Sequence, residues 1–437
     1  MTDSTSPLAE NVRPIAHLDL AGAGQVYVNS DACYVGHLPN AAGLGTTILD
    51  ISDPRCPSVI ATVAVDDKDS HSHKVRVVGD LMIVNHERNN TGIGRKAEQL
   101  PPARARLAEM LGRVATHAEL AAAIGVSESD IPLLEAAEKT SYDRGGFRVY
   151  DIADKLNPRL LCHKTTGGKG VHRFDMDDKY AYISTEMDGY IGNILVVYDL
   201  AEPTAPKEVS RWWMPGQHVA GGETPTWEGN HHRLHHALRF GDRLYAGVWH
   251  AGFRLIDIAD ITRPRTIGGY NYHPPFPEPT HTVMPLPEKI SGRDIMVAID
   301  EEDQFYNAEE ARKRRGRPHA SLSTYDITNP ADIKPLAIFQ VSERDSPWSR
   351  AANARFGSHQ FHEGPSGTLV YCAWFAGGLR IVDVGDPMAP QEVGWFMPEP
   401  VSGRPAPQTN DVSIDRRGFI HLVDRYVGYD IVEFESG

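Results

Sequence analysis

The chain has 437 residues, 41% apolar and 23% charged, with a formal net charge of −14. That composition supplies a large core and excludes a disordered chain, and the acidic balance excludes a general nucleic-acid binder, whose footprint is basic. No apolar run approaches the roughly 18 residues of a membrane span.

In chain order, RPIAHLDL (13–20) reads as a lone strand, and TTILDISDPRCPSVIATV (46–63) as two strands joined at an Asp/Pro turn. HKVRVVGDLMIVN (73–85) is another strand pair. The insertion over 88–146 then breaks the pattern. Within it, ARARLAEMLGRVATHAELAAAIG (103–125) predicts one helix, and SESDIPLLEAAEKT (127–140) a second with a Ser/Asp cap.

The first phrase returns as FRVYDIADKLNPRLL (147–161), LVVYDLAEPTAPKEV (195–209), FRLIDIADITRPRTI (253–267), LSTYDITNPADIKPLAIF (322–339) and LRIVDVGDPMAPQEV (379–393), with YDIVEF (429–434) truncated at the end. Strand pairs precede the copies, among them HRFDMDDKYAYIS (172–184), HHALRFGDRLYAGV (235–248) and NDVSIDRRGFIHLV (410–423). Four strands per unit, A to D, and seven units predict an all-β, single-domain, seven-bladed propeller. The last unit lacks strand D, so 13–20 is expected to close the ring and remove an open sheet edge.

The phrases LRIVDVGDPMAPQEVG and FRLIDIADITRPRTIGG closely resemble the LVIVD repeat of bacterial β-propellers. That resemblance implies the fold and little chemistry. HHALRFGDRLYAGVWHAGFRLIDI is more weakly similar to the selenium-binding protein/methanethiol oxidase propellers, which have histidine-rich centres and a proposed copper site. The chain lacks that family's cysteine motifs, so sulfur chemistry does not carry over.

The A–B and C–D turns are short, whereas the insertions at 88–146 and 301–320 and the long D–A loops emerge on the other face. Long loops on one face of a rigid scaffold carry function. The helical insertion is read as a cap over the channel mouth or, equally, as an arm for a homo-oligomer.

The seven strand-A starts align as Gln25, His73, His172, His235 or His236, His281, His359 and Asn410. Propeller symmetry points these side chains at the channel axis. Neutral imidazole is the commonest metal ligand. His73, His172, His281, His359 and one of His235 and His236 are therefore candidate ligands of a transition-metal ion. His71, His231, His232 and His362 lie nearby but off register.

The ends of strand B form a second circle on the same face, with His37, His86, Glu87, Glu186, His250, Asp300, Glu301, Trp374, Asp424 and Arg425. Glu87, Glu186 and Glu301, with His86 and His250, are candidates for orienting a bound imidazole or for acid–base catalysis. Trp212, Trp213, Trp227, Trp249, Trp348, Phe356 and Trp374, with Phe305 and Tyr306, crowd the same loops and suggest a pocket for a small apolar or aromatic molecule. The basic run ARKRRGRP (311–318) reads as a solvated helix face or a clamp for an anion.

The favoured expectation is a metal-dependent oxidoreductase using Fe or Cu. A Zn- or Mn-dependent hydrolase or lyase on the same site, and a non-catalytic platform for a protein partner, are the alternatives. Met1–Pro14 shows no basic, apolar leader, and the four cysteines are far apart with no CxxC. A cytoplasmic protein with reduced thiols is expected.

Overall fold

The computed structural model describes residues 8–20, 22–89, 97, 99–139, 142–227, 232–273, 276–303 and 318–435. Seven antiparallel sheets succeed one another along the chain. Blade 1 comprises Ala23–Asn29, Ala32–His37, Leu44–Asp50 and Ser58–Ala64. Blade 2 comprises Ser70–His71 with Val75–Val78, then Leu81–Arg88, Gly146–Asp151 and Arg159–Thr165. Blade 3 spans Val171–Met176 to Lys207–Trp212, blade 4 His236–Phe240 to Arg265–Tyr270, and blade 5 Thr280–Pro285 to Lys334–Phe339. Blade 6 runs from Gln360–Phe361 to Gln391–Met397, and blade 7 holds Thr409–Ile414, Phe419–Asp424 and Tyr429–Phe434.

The ring closes at the termini of the described chain. Val12–Leu18 runs antiparallel to Tyr429–Phe434 as the outer strand of blade 7. A short strand before it, Leu8–Glu10, pairs with Gln391–Met397 and adds a fifth strand to blade 6. Sequence reading did not find that second staple. Its three residues carry no alternation long enough to recognise.

Inner strands are apolar on both faces because blades stack face to face. Leu195 and Val197 of blade 3 pack with Leu244 and Ala246 of blade 4, and Leu379 and Ile381 of blade 6 with Leu422 and Val432 of blade 7. Each such aliphatic side chain stabilises the fold by about 1.5–3 kcal/mol when fully buried. Outer strands, such as Lys334–Phe339, alternate toward solvent. A register shift recurs where strand D meets strand C in blades 1 to 6, for example between Val197/Tyr198 and Ile381/Val382. This bulge adds twist at one place in each blade.

The insertion differs in detail from expectation. The single helix expected over 103–125 is two helices, Leu100–Leu111 and His117–Ile124, followed by a third, Ile131–Glu138. Gly112 stops the first in the left-handed conformation, and Thr116 with Glu119 forms a capping box that starts the second. The three helices bury a small core of their own, including Leu100, Leu120, Ile124, Ile131 and Leu134. Among the described residues, no helix is long and apolar enough to cross a membrane. All four cysteines are free thiols, with Cys33 and Cys372 buried.

Candidate metal centre

Strand A starts deliver imidazoles from successive blades to one end of the channel. In blades 1 and 4 a glycine at the end of strand B leaves room for the next blade. A Cβ on Gly247 would stand 2.5 Å from the His281 carbonyl oxygen, and one on Gly36 the same distance from the His73 carbonyl carbon. Only glycine permits this approach.

The result is a continuous arc of six rings. Ring centroids are 4.7 Å apart for His71 and His73, and 5.6 Å for His73 and His172. They are 4.9 Å apart for His172 and His235, 4.0 Å for His235 and His281, and 4.5 Å for His281 and His359. Carboxylates flank the arc. Glu87 lies 3.0 Å from His172 Nδ1 and 3.4 Å from His71 Nε2. Glu301 lies 3.8 Å from His359 Nε2 and 4.0 Å from His281 Nε2. Two triads, His71/His73/Glu87 and His235/His281/Glu301, have ligand atoms close enough to hold a metal ion.

Hydrogen bonds fix most of the tautomers. His172 donates its Nδ1–H to the Glu87 carboxylate. His235 donates Nδ1–H to the His281 carbonyl at 3.0 Å, and His359 donates Nδ1–H to the Asn410 carbonyl. The Thr282 hydroxyl donates to Gln360 Oε1 at 2.8 Å, so it accepts from His281 Nδ1–H at 2.8 Å. In all four rings the Nε2 lone pair is left free, the arrangement in which protein acceptors orient metal-bound histidines.

The His172 and His235 Nε2 atoms face each other at 3.0 Å. Two lone pairs cannot meet at that distance, so a proton or a metal ion must lie between them. Two imidazoles on one ion at about 2.0–2.1 Å place their nitrogens about 2.9–3.4 Å apart.

Burial holds the His235, His281 and His359 pKa values well below 6.5, with help from neighbouring His172, His235 and Arg425 respectively, so these rings are neutral donors at pH 7. Burial alone would raise the Glu87 carboxyl, but the His172 and His71 imidazoles hold it well below the usual range, and it stays ionised.

Not every predicted residue joins the arc, and not every ring in it shares this tautomer. His73 has the opposite tautomer, because Asn85 Nδ2 donates to its Nδ1 at 3.2 Å while Asn85 Oδ1 accepts from the Lys74 amide. His236 points to the other side of its strand, accepting from Arg173 Nε at 3.2 Å and donating to the Phe174 carbonyl. Alternation along a strand requires that only one of His235 and His236 face the arc. His86 pairs with Asp67 at 3.3 Å, and burial pushes its pKa down to about 4. His250 Nε2 lies 3.2 Å from the Pro277 carbonyl. Glu186 accepts the Lys169 amide at 2.9 Å and closes the 167–170 loop. His37 bonds Thr47, His232 stacks on Trp227, and His362 lines a cavity beside Glu363. His231, Phe305, Tyr306 and positions 311–317 of the basic run lie outside the described residues.

Of the aromatic residues, Trp348, Phe356 and Trp374 pack in or against one core cluster and Trp212 in another. Trp249 stacks on His235 at 5.1 Å. Phe375, which sequence reading passed over, does the same for His359 at 4.8 Å. His71 lies off the register of the strand-A starts, yet it reaches Glu87 because strand A of blade 2 is interrupted between His71 and Val75. Arg233 and Arg355 were also missed, being single arginines with no period to mark them. The HHRLHH run around Arg233 was the available signal.

No curated protein sequence matches the chain. Solved propellers match its fold. The RRP9 WD40 repeats align over 98% of this chain and 99% of theirs, with a TM-score of 0.55 at 8% identity. U3-55K aligns over 98% and 100%, with a TM-score of 0.54 at 8% identity. The Myceliophteria thermophila Cps50 (Swd1) β-propeller domain aligns over 98% and 100%, with a TM-score of 0.51 at 12% identity. At such identities the likeness is one of fold. Residues 366–397, which carry strands B, C and D of blade 6, match the LVIVD repeat family, and the chain is a seven-bladed β-propeller that carries the LVIVD repeat.

Proposed function

We propose that this protein is a metal-dependent enzyme whose centre is a transition-metal ion at the channel mouth, held by His235, His281 and Glu301, with His172 Nε2 facing His235 and His359 adjacent. The observation that carries this reading is the pair of facing Nε2 atoms of His172 and His235, at 3.0 Å. A donor set dominated by imidazoles suits Fe, Cu or Zn better than Mn. The favoured activity is oxidoreduction of a small molecule by Fe or Cu. When bound, the metal supplies the redox chemistry.

The chain's own residues do the rest. Glu87 orients His172 and raises its basicity by accepting its Nδ1–H. Trp249 and Phe375 wall off water behind His235 and His359.

The test is elemental analysis of untagged protein, alongside the His172→Ala/His281→Ala double variant. About one equivalent of Fe or Cu in the parent, lost in the double variant together with turnover, is the expected result. One equivalent of Zn or Mn redirects the reading to hydrolysis or elimination. No metal in the parent, and none taken up on reconstitution, overturns the metal-centre reading and favours a binding platform.

A further inference from the structure

The channel is rich in buried charge, and most of it is paired. Arg76 lies 2.9 Å from Asp175 and 2.6 Å from Glu363. Arg173 also bonds Glu363, and Arg355 bonds Glu301 at 2.9 Å. Glu87 is occupied by imidazoles. Two guanidiniums at the mouth are left over. Arg233 forms no hydrogen bond or ion pair with the described residues, and Arg425 uses only its Nε, donating to Asn410 Oδ1 at 2.6 Å.

Each of these arginines stands over the ring that also backs an arc histidine. Arg233 Cζ lies 4.4 Å from the centroid of Trp249, the ring behind His235. Arg425 Cζ lies 5.3 Å from the centroid of Phe375, the ring behind His359. A cation held on an aromatic face keeps its N–H edge free for a planar acceptor. The stacking therefore orients both forks without satisfying them.

Burial disfavours both charges. Burial, with the neighbouring Arg355, lowers the Arg425 pKa to about 9. An unpaired, desolvated cation destabilises the free protein. An anion that paired with it would recover that energy, and a metal ion on the arc would add to the attraction.

We propose that the mouth binds a small substrate through an oxyanion group, a carboxylate or a phosphate, gripped by Arg233 and Arg425 beside the imidazole arc. The inference rests on the metal-centre reading only for what happens after binding. The anion site itself is made of arginines. It also refines the expected apolar or aromatic substrate, since Trp249 and Phe375 serve here as platforms for cations.

The experiment is titration calorimetry of the full, untagged chain in chloride buffer, with benzoate and with inorganic phosphate as probes. Arg233→Gln and Arg425→Gln are titrated in parallel, with metal content and melting temperature recorded. One probe is expected to bind at one equivalent, and each variant to weaken it at least tenfold with metal content unchanged. Tighter benzoate assigns a carboxylate; tighter phosphate assigns a phosphate ester. If a glutamine variant does not fold, Arg233→Lys keeps the charge, loses the fork and is expected to show the same weakening. Failure of both probes to bind, or equal binding by parent and variants, overturns the proposal. Repeating the titration after chelation separates the two ideas: binding that survives in protein shown to hold no metal keeps the oxyanion site even if the metal centre fails.

Discussion

On the turn face, six blades end strand C in an aspartate whose Oδ1 accepts the amide two residues on. Asp50 takes Ser52, Asp151 takes Ala153, Asp199 takes Ala201, Asp257 takes Ala259, Asp326 takes Thr328 and Asp383 takes Gly385. On the mouth face, Glu87 bonds His172, 85 positions away in sequence, and Glu301 reaches Arg355 and His359. The turn acids are half-buried and their bonds are local, so each repeat makes the same turn. The mouth acids are set deeper, and each reaches a histidine of its own blade and one of the next, Glu87 with His71 and His172 and Glu301 with His281 and His359. The candidate site lies on the face whose contacts join one blade to the next.

The largest expected effect breaks both faces at once. Removing residues 8–18 takes away the outer strand of blade 7 and the staple on blade 6. It exposes two sheet edges. The truncated chain should melt far below the parent or aggregate on purification. An unchanged melting temperature would show that ring closure does not depend on these strands.

Deeper in the channel, Glu363→Gln should destabilise by about 3–5 kcal/mol, because Arg173 is left as a buried charge without its acid. Urea unfolding measures it, and a loss under 1 kcal/mol would refute the argument.

At the mouth, Glu87→Gln should weaken metal binding by about 10–100-fold. Its melting temperature should move little in metal-free buffer. Competition with a chromophoric chelator distinguishes this positioning role from a merely structural one.

On the turn face, Asp383→Ala should cost about 1 kcal/mol, the worth of one local hydrogen bond, and leave metal affinity untouched. A change in metal content would mean that the two faces are coupled.

The smallest effect is a pH dependence at the ring closure. The hydrogen bond from His17 Nδ1 to Asp430, 2.8 Å long, raises the His17 pKa from 6.5 to about 9. A raised folded-state value means that the contribution is complete below pH 6.5 and is lost as pH rises through 9. His17 is partly exposed, so solvent screening keeps the effect small. His17→Asn should flatten the difference in melting temperature between pH 6 and pH 9.5; an equal slope in parent and variant would rule the pair out as its source.

The repeated phrase made the blade number legible, because Asp turns and alternating strands are short-range features that each copy shows in full. The register of the strand-A histidines was legible for the same reason. The break at Gly112 could also have been read, since glycine between two helical stretches is a stop signal. Three features depended on the folded ring. His235 faces the arc while His236 turns to Arg173, although both sit at the same point in the repeat. Off-register His71 reaches Glu87. Among the described residues neither Arg233 nor Arg425 bonds a carboxylate, while Arg355 finds Glu301. Local bonding is written within a few residues and survives in any sequence window. Which buried donor meets which acceptor across the channel depends on seven blades converging, and that convergence exists only in the closed ring.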